Sequence, residues 1–304
     1  QNLKPTVQWL LDLGLSKAHV AKAVSTNPAI LGYSIEQNLK LTEQWLLRLG
    51  LSTTQIAKAV ATFPAILGYS IEQNLKPTVQ WLLDLGLSKS QVAKAVAKSP
   101  RILGFSIEQN LKQTVEWLFD LGVSKTEVAK VVATSPAILG YSTEQNLKPT
   151  VQWLLDLGLS KTQVAKAVST SPAILGLSIE RNLKPKAQWL LDLGLSKSQV
   201  AKTVATKPCI LGYSIEQNLK LKVRWLLDLG LSNSEVAVVV ASFSSFLGLS
   251  IDRSLKPKYS LLLVVFGPTE AGQLIAKCPR ILSYSHQRLT ERLSVLAELN
   301  QTKN

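Results

Sequence analysis

A tryptophan recurs every 36 residues along this chain, at Trp9, Trp45, Trp81, Trp117, Trp153, Trp189 and Trp225. Gly14, Gly50, Gly86, Gly122, Gly158, Gly194 and Gly230 keep the same step, as do Pro28, Pro64, Pro100, Pro136, Pro172 and Pro208. This period constrains the fold more than any composition does. One unit is too short to enclose its own apolar face, so successive units must stack and bury it against one another. A length of 304 residues would otherwise suggest about two domains. The repeat predicts instead a single domain over residues 1–304, with about eight repeats and a degenerate C-terminal cap over 250–304.

The unit from Ser70 to Leu103 reads as two helices and a turn. Ser70 is an N-cap with Gln73 three residues on, the spacing of a capping box. Ile71, Leu75, Val79 and Leu82 recur at helical spacing as a buried stripe, while Glu72, Lys76, Gln80 and Asp84 form a solvated row. Gly86 ends this helix, because glycine takes the left-handed C′ conformation without a Cβ penalty. Pro77 is expected to kink or shorten the first turn, although Leu41, Gln113 and Leu221 hold that position in other copies. The second helix opens at Ser88 with a box to Gln91, buries Val92 and Val96, and packs closely through Ala93, Ala95 and Ala97. Ser99-Pro100 stops it, since the residue before proline is pushed out of the helical region. Arg101-Ile102-Leu103 is expected to form a 3₁₀ turn that plugs the core. The fold class is therefore all-α, a helical-repeat solenoid with a first helix near 71–85, a second near 89–98, and about seventeen helices in all.

At 46% apolar the chain has ample core, and Leu261–Phe266 is its longest apolar run, far short of the roughly 18 residues that span a membrane. No membrane partner is expected, and a monomer is. Cys209 and Cys278 occupy inequivalent positions, which argues against a disulfide framework and suits a reducing compartment. Gln1-Asn2-Leu3 matches Gln73-Asn74-Leu75, so the chain is read as starting inside a first helix. With no methionine anywhere, it is read as a processed or truncated product. The eighth repeat departs from the others, with Leu261 in place of tryptophan and Phe266-Gly267-Pro268 in place of Leu-Gly-Leu, as terminal capping repeats do.

The net charge of +14 is localised. The eight second-helix segments hold sixteen Lys/Arg against three Asp/Glu, a net of +13, and the rest holds eighteen against seventeen. The column Lys4, Lys40, Lys76, Lys112, Lys148, Lys184, Lys220 and Lys256 mostly follows an acid by one turn and reads as solvated ion pairs. Lys22, Lys58, Lys94, Lys130, Lys166 and Lys202 are expected to lack such an acid, and in a stacked array to form an unneutralised ribbon that attracts polyanions by counterion release. The plainer reading of that ribbon is a solubility face. Lys98, Arg101, Lys207 and Arg280 lie on or beside it. A further column changes from Thr6, Thr42, Thr78, Thr114 and Thr150 to Lys186, Lys222 and Lys258, and these lysines are expected to extend the nucleic-acid-binding surface on the C-terminal first helices.

The tryptophans sit invariably at a helix end and read as inter-repeat packing rather than base stacking. Tyr33, Tyr69, Tyr141 and Tyr213 share their position with Phe105, Leu177 and Leu249, a tolerance that also favours packing. Catalysis finds no support. His19 and His286 lie at opposite ends, and no glycine-rich phosphate loop, Cys/His metal spacing or nucleophile elbow occurs. No cofactor or metal is expected.

The unit Leu-Gly-Leu-Ser-x-x-Gln-Val-Ala-x-x-Val, followed by Ser-Pro-x-Ile-Leu-Gly-Tyr-Ser-x-Glu-x-Asn-Leu-Lys-Pro, resembles the repeat of the mitochondrial transcription termination factor (mTERF) family. The resemblance covers essentially the whole chain. It implies helix pairs with a 3₁₀ turn stacked into a superhelix with a basic concave groove, and work on DNA or RNA in mitochondria or plastids. The copies here are unusually alike, and repeated Lys replaces the varied groove residues of the family. A one-base-per-repeat code needs side chains that differ between repeats. Here variation is concentrated beside the proline, at Asn27, Phe63, Ser99, Ser135, Ser171 and Lys207 before it and Ala29, Ala65, Arg101, Ala137, Ala173 and Cys209 after it. Backbone contacts carry little sequence information, so weak selectivity is expected. Two functions of different class follow. One is an organellar nucleic-acid-binding protein acting in transcription termination or regulation, or in RNA metabolism, through phosphate contacts. The other is a scaffold for a protein or ribonucleoprotein partner such as an organellar ribosome.

Overall fold

The computed structural model describes residues 3–301, and every regular element among them is helical. Gln1 and Asn2, read above as part of a first helix, and Thr302–Asn304 of the polar tail lie outside the described residues. The chain divides into two compact units, Gln1–Pro149 with Val168–Gly176, and Thr150–Ala167 with Leu177–Asn304. The first holds α1 (Leu3–Asp12), α2 (Lys17–Thr26), α3 (Lys40–Leu49), α4 (Thr53–Thr62), α5 (Lys76–Asp84), α6 (Lys89–Lys98), α7 (Gln113–Asp120) and α8 (Lys125–Thr134). After α9 (Lys148–Asp156) and α10 (Lys161–Thr170), the second continues through α11 (Lys184–Asp192), α12 (Lys197–Thr206), α13 (Lys220–Asp228), α14 (Asn233–Ser242), α15 (Lys256–Lys277) and α16 (His286–Gln301). Up to α14, odd numbers are first helices and even numbers second helices. A 3₁₀ turn such as Pro100–Gly104 closes each repeat, as the Pro-x-x-Leu motif predicts.

The second helices open as their caps dictate. Capping boxes form at Ser52/Gln55, Ser88/Gln91, Ser124/Glu127, Ser196/Gln199 and Ser232/Glu235. The first helices open differently from expectation. Each one from α3 onward is entered through a π turn, Ile71–Leu75 before α5 for instance. There the Leu75 N–H reaches back five residues to the Ser70 carbonyl at 3.1 Å. The Ser70 hydroxyl still accepts from the Gln73 N–H at 3.1 Å, but the Ser70 N–H donates to Asn74 Oδ1 at 3.2 Å and not to Gln73. The wider turn brings the fourth residue, not the third, opposite the cap. Nor does Pro77 cause it, because the copies with Leu41, Gln113 and Leu221 have the same π turn.

Packing follows from small residues. In the first unit α2, α4, α6 and α8 stack on one another in succession, and in the second α12 stacks on α14. Val92, Ala93, Ala95 and Val96 of α6 are buried in this stack. Gly86 takes φ +108°, and a Cβ built there would sit 3.8 Å from the Cβ of Ala129 in the next repeat. The turn aromatics also bridge repeats. A Cβ on Gly68 would lie 2.2 Å from the Tyr33 hydroxyl, and one on Gly140 2.3 Å from the Phe105 ring, so each ring fills the space that glycine leaves open.

The tryptophans correct the sequence reading in part. Trp225 is 8% exposed and stacks on Phe246 with centroids 6.1 Å apart, but the other six are only half-buried. In the first unit Trp45 borders an open groove of about 540 Å³ lined by Leu49 of its own helix and by Pro77 and Val79 of the next first helix. At the C-terminus, Ile251–Lys277 holds an 18-residue window of mean hydropathy 1.2, enough by length and composition alone to cross a membrane, although its longest uninterrupted apolar run is still Leu261–Phe266. It is not one rod. Gly267 adopts φ 75°, ψ 170°, which breaks α15 into two segments that correspond to the first and second helices of the eighth repeat.

Candidate nucleic-acid interface

In the first unit Lys22, Lys58, Lys94 and Lys130 are exposed on α2, α4, α6 and α8. Each stands on the helix face opposite the buried Val and Ala of the stack, so successive repeats present them in one row. The helices α2, α4 and α6 contain no acidic residue. Lys130 is the exception to the expected absence of a neighbouring acid. Glu127 precedes it by one turn, and its carboxyl is held below the usual carboxylate range by hydrogen bonds from Ser124 and then by the pull of Lys130. Lys98 donates to the Thr134 carbonyl at the end of α8, the negative end of that helix dipole. Arg101 is exposed on the adjoining 3₁₀ turn.

In the second unit Lys166, Lys202 and Arg280 are exposed, and Lys207 is half-buried with its stem beside Gly248. The column stops at α14, where Val238 takes the lysine position and is 54% exposed.

Lys186, Lys222 and Lys258 do not extend this surface. They are 8%, 7% and 8% exposed and face inward from α11, α13 and α15. The Lys222 ammonium donates to Asn218 Oδ1 at 2.8 Å, and Lys258 donates to the Leu282 carbonyl at 2.7 Å and to Ser254 Oγ at 3.2 Å. Burial lowers the pKa of both Lys222 and Lys258. The reason for the misreading is a rotation of the inner stripe. Along α5 and the π turn before it, the covered positions are Leu75, Thr78 and Leu82, while Ile71 and Val79 are half-buried. The Thr column is thus an interior column, and 75, 78, 82 was itself a helical i, i+3, i+7 series available in the sequence.

The first-helix column behaves as expected. Lys40, Lys76, Lys112, Lys148, Lys184 and Lys220 pair with Glu36, Glu72, Glu108, Glu144, Glu180 and Glu216, and Lys256 with Asp252, all at the surface. Exposed i, i+4 pairs of this kind stabilise by only about 0.3–0.5 kcal/mol each, but they neutralise the first-helix face. The excess of cationic over acidic side chains therefore belongs to the second helices. Among the described residues no cluster of His, Cys, Asp and Glu is arranged to hold a metal ion.

The mTERF family model matches residues 7–298, nearly the entire chain. The chain belongs to the mTERF family. No curated protein matches it. Membership accounts for the helix-pair-plus-3₁₀ repeat and places this mTERF protein among organellar nucleic-acid-binding repeat proteins in general.

Proposed function

We propose that this mTERF protein holds a nucleic acid by its phosphates on the exposed faces of its second helices, and so acts in organellar transcription or RNA metabolism, in mitochondria or plastids. The observation that carries this reading is the row Lys22, Lys58, Lys94 and Lys130 on four helices that pack in succession, with Glu127 the one acid among those helices. Phosphate contacts fix register without reading bases, which suits repeats as alike as these. The selectivity is accordingly for charge and shape.

Binding measured against salt tests it. If about six phosphates are neutralised, log K falls with log salt at a slope near −5 for a duplex and near −4 for a single strand. Lys94→Ala is expected to reduce that slope by roughly one unit and to weaken all sequences alike. Lys148→Ala, whose partner Glu144 already neutralises it, should change it far less. Equal effects of the two substitutions would remove the second-helix surface from the account. Salt-independent binding, or none, would favour the scaffold for a protein or ribonucleoprotein partner.

A further inference from the structure

The lysine column is interrupted at α14, and neither α14 nor the turn after it, Ser244–Gly248, contains a Lys or Arg. A cavity of about 320 Å³ lies at this gap, wholly within the second unit. Three consecutive repeats wall it. Lys202 comes from α12, Ser244 and Ser245 from the turn after α14, and Arg280 from the turn Pro279–Ser283. No carboxylate lines it.

The hydroxyls around it divide into two groups. Thr206, Ser242 and Ser283 also line the cavity, but they donate to the Lys202, Val238 and Arg280 carbonyls at 2.8, 2.7 and 2.6 Å. The side chains of Ser244 and Ser245 make no hydrogen bond to another described residue, and although Ser244 is only 3% exposed as a whole its hydroxyl is not among the sealed, unpartnered polar atoms of the interior; it is open to the cavity that both serines line. Ser244 stands where six other repeats have Pro28, Pro64, Pro100, Pro136, Pro172 and Pro208. Proline offers no donor there, whereas Ser244 adds to the cavity wall a hydroxyl that no other described residue bonds. The first repeat to lack the column lysine thus also replaces an inert residue by a donor, and the cavity there is walled by a cation from each neighbouring repeat.

We propose that this pocket seats the terminal phosphate of a nucleic-acid strand. The inference rests on the nucleic-acid reading above and adds a strand end to it. Charge decides between a terminal and an internal phosphate. A phosphomonoester carries about −1.5 to −2 at neutral pH and three strong acceptor oxygens, which two cations and two free hydroxyls match. An internal phosphodiester carries a single charge and would leave one cation uncompensated. Charge-assisted hydrogen bonds from Lys and Arg are the strong kind, and Arg offers a planar fork for two oxygens.

The experiment uses the full chain and one single-stranded oligonucleotide, made as DNA and as RNA, in three forms: 5′-phosphate, 3′-phosphate, and hydroxyl at both ends. Fluorescence anisotropy is expected to show one phosphorylated form binding about tenfold tighter than the hydroxyl-ended form, and the preferred form identifies which end is seated. The double variant Ser244→Pro, Ser245→Ala restores the residues of the Pro64-Ala65 and Pro136-Ala137 copies. The backbone accepts it, since Phe243 has φ −139°, ψ 60° and Ser135, before Pro136, has φ −137°, ψ 65°. This variant should lose the preference and bind the hydroxyl-ended strand as before. Equal affinity for all three forms overturns the pocket and leaves the second-helix reading standing. Failure of every form to bind overturns both, and a preference that survives in the variant shows that the phosphate sits elsewhere.

Discussion

Lys222→Met is expected to stabilise the protein, and the structure says by how much and at what pH. Lys222 occupies a column that is threonine in the first five repeats and is 7% exposed. Its ammonium takes Asn218 Oδ1 as its acceptor. In the five repeats from Ser34 to Ser178 the equivalent asparagine accepts from the cap N–H, as Asn74 does from Ser70 and Asn182 from Ser178. The lysine therefore diverts a helix cap in order to solvate a buried charge. Methionine keeps most of the apolar stem, removes the charge and returns Asn218 to the Ser214 N–H. A cap of this kind contributes about 1 kcal/mol, and replacing a buried charge by an apolar side chain of similar volume is neutral or favourable.

The pH dependence separates the two contributions. Burial places the Lys222 pKa in the fold below its ordinary value of 10.5. The unfolded chain then binds more protons than the folded one between those two values, so wild-type stability rises with pH across that window. The variant has no such titration. Its advantage should be largest at neutral pH and shrink as pH rises towards 10.5, with the capping part remaining. A gain of about 1 kcal/mol corresponds to a rise in melting temperature of roughly 2–4 °C for a unit of this size. Thermal melts of both proteins at pH 7 and at mildly alkaline pH decide it. A variant that melts lower than wild type at pH 7 would falsify the reasoning, because the ammonium would then be stabilising the repeat.

Three further substitutions test the packing. Asn74→Ala should cost about 1 kcal/mol by orphaning the Ser70 N–H, whereas Gln73→Ala should cost almost nothing; equal losses in urea titrations would restore the ordinary capping box. Gly68→Ala places a Cβ 2.2 Å from the Tyr33 hydroxyl and should cost about 1–3 kcal/mol. Adding Tyr33→Leu should recover most of it, as Leu177 leaves 3.9 Å of clearance over Gly212, and failure of that rescue would place the strain elsewhere. Trp225→Ala should cost about 3–5 kcal/mol and Trp117→Ala about half as much, in line with their burial, and the reverse order by denaturant midpoint would contradict the packing described.

What was legible in the sequence was whatever a local rule controls. The period gave the repeat, Ser88 with Gln91 gave the second helix, Gly86 its left-handed stop and Pro100 the 3₁₀ turn. The second-helix lysines were legible for the same reason, because α6 with buried Val92 and Val96 leaves Lys94 nowhere to point but outward. The π turn was not, since the five-residue reach from Leu75 to Ser70 has no residue signature distinct from an α-turn. The larger error was a separate one: the inner stripe runs through Leu75, Thr78 and Leu82 and not through Val79, so a column read as surface is core.

Lys186, Lys222 and Lys258 then show a limit of reading repeats residue by residue. Lysine taken alone implies solvent, and three lysines near other basic residues implied a surface. In a repeat array, though, burial belongs to the position before it belongs to the residue. Thr78 at 3% exposure, repeated four times over, specifies an interior slot, and a lysine placed in that slot must find an acceptor inside. Lys258 does so by reaching the Leu282 carbonyl of its own repeat's closing turn, tying the first helix to the 3₁₀ segment. Lys222 does so at the expense of a cap. The same reasoning, run the other way, distinguishes Ser244. Its slot is a buried proline in the preceding repeats from Pro64 to Pro208, and there the substitution adds a hydroxyl that opens onto a cavity instead of bonding inside the fold, which is why it points to a ligand where the lysines do not.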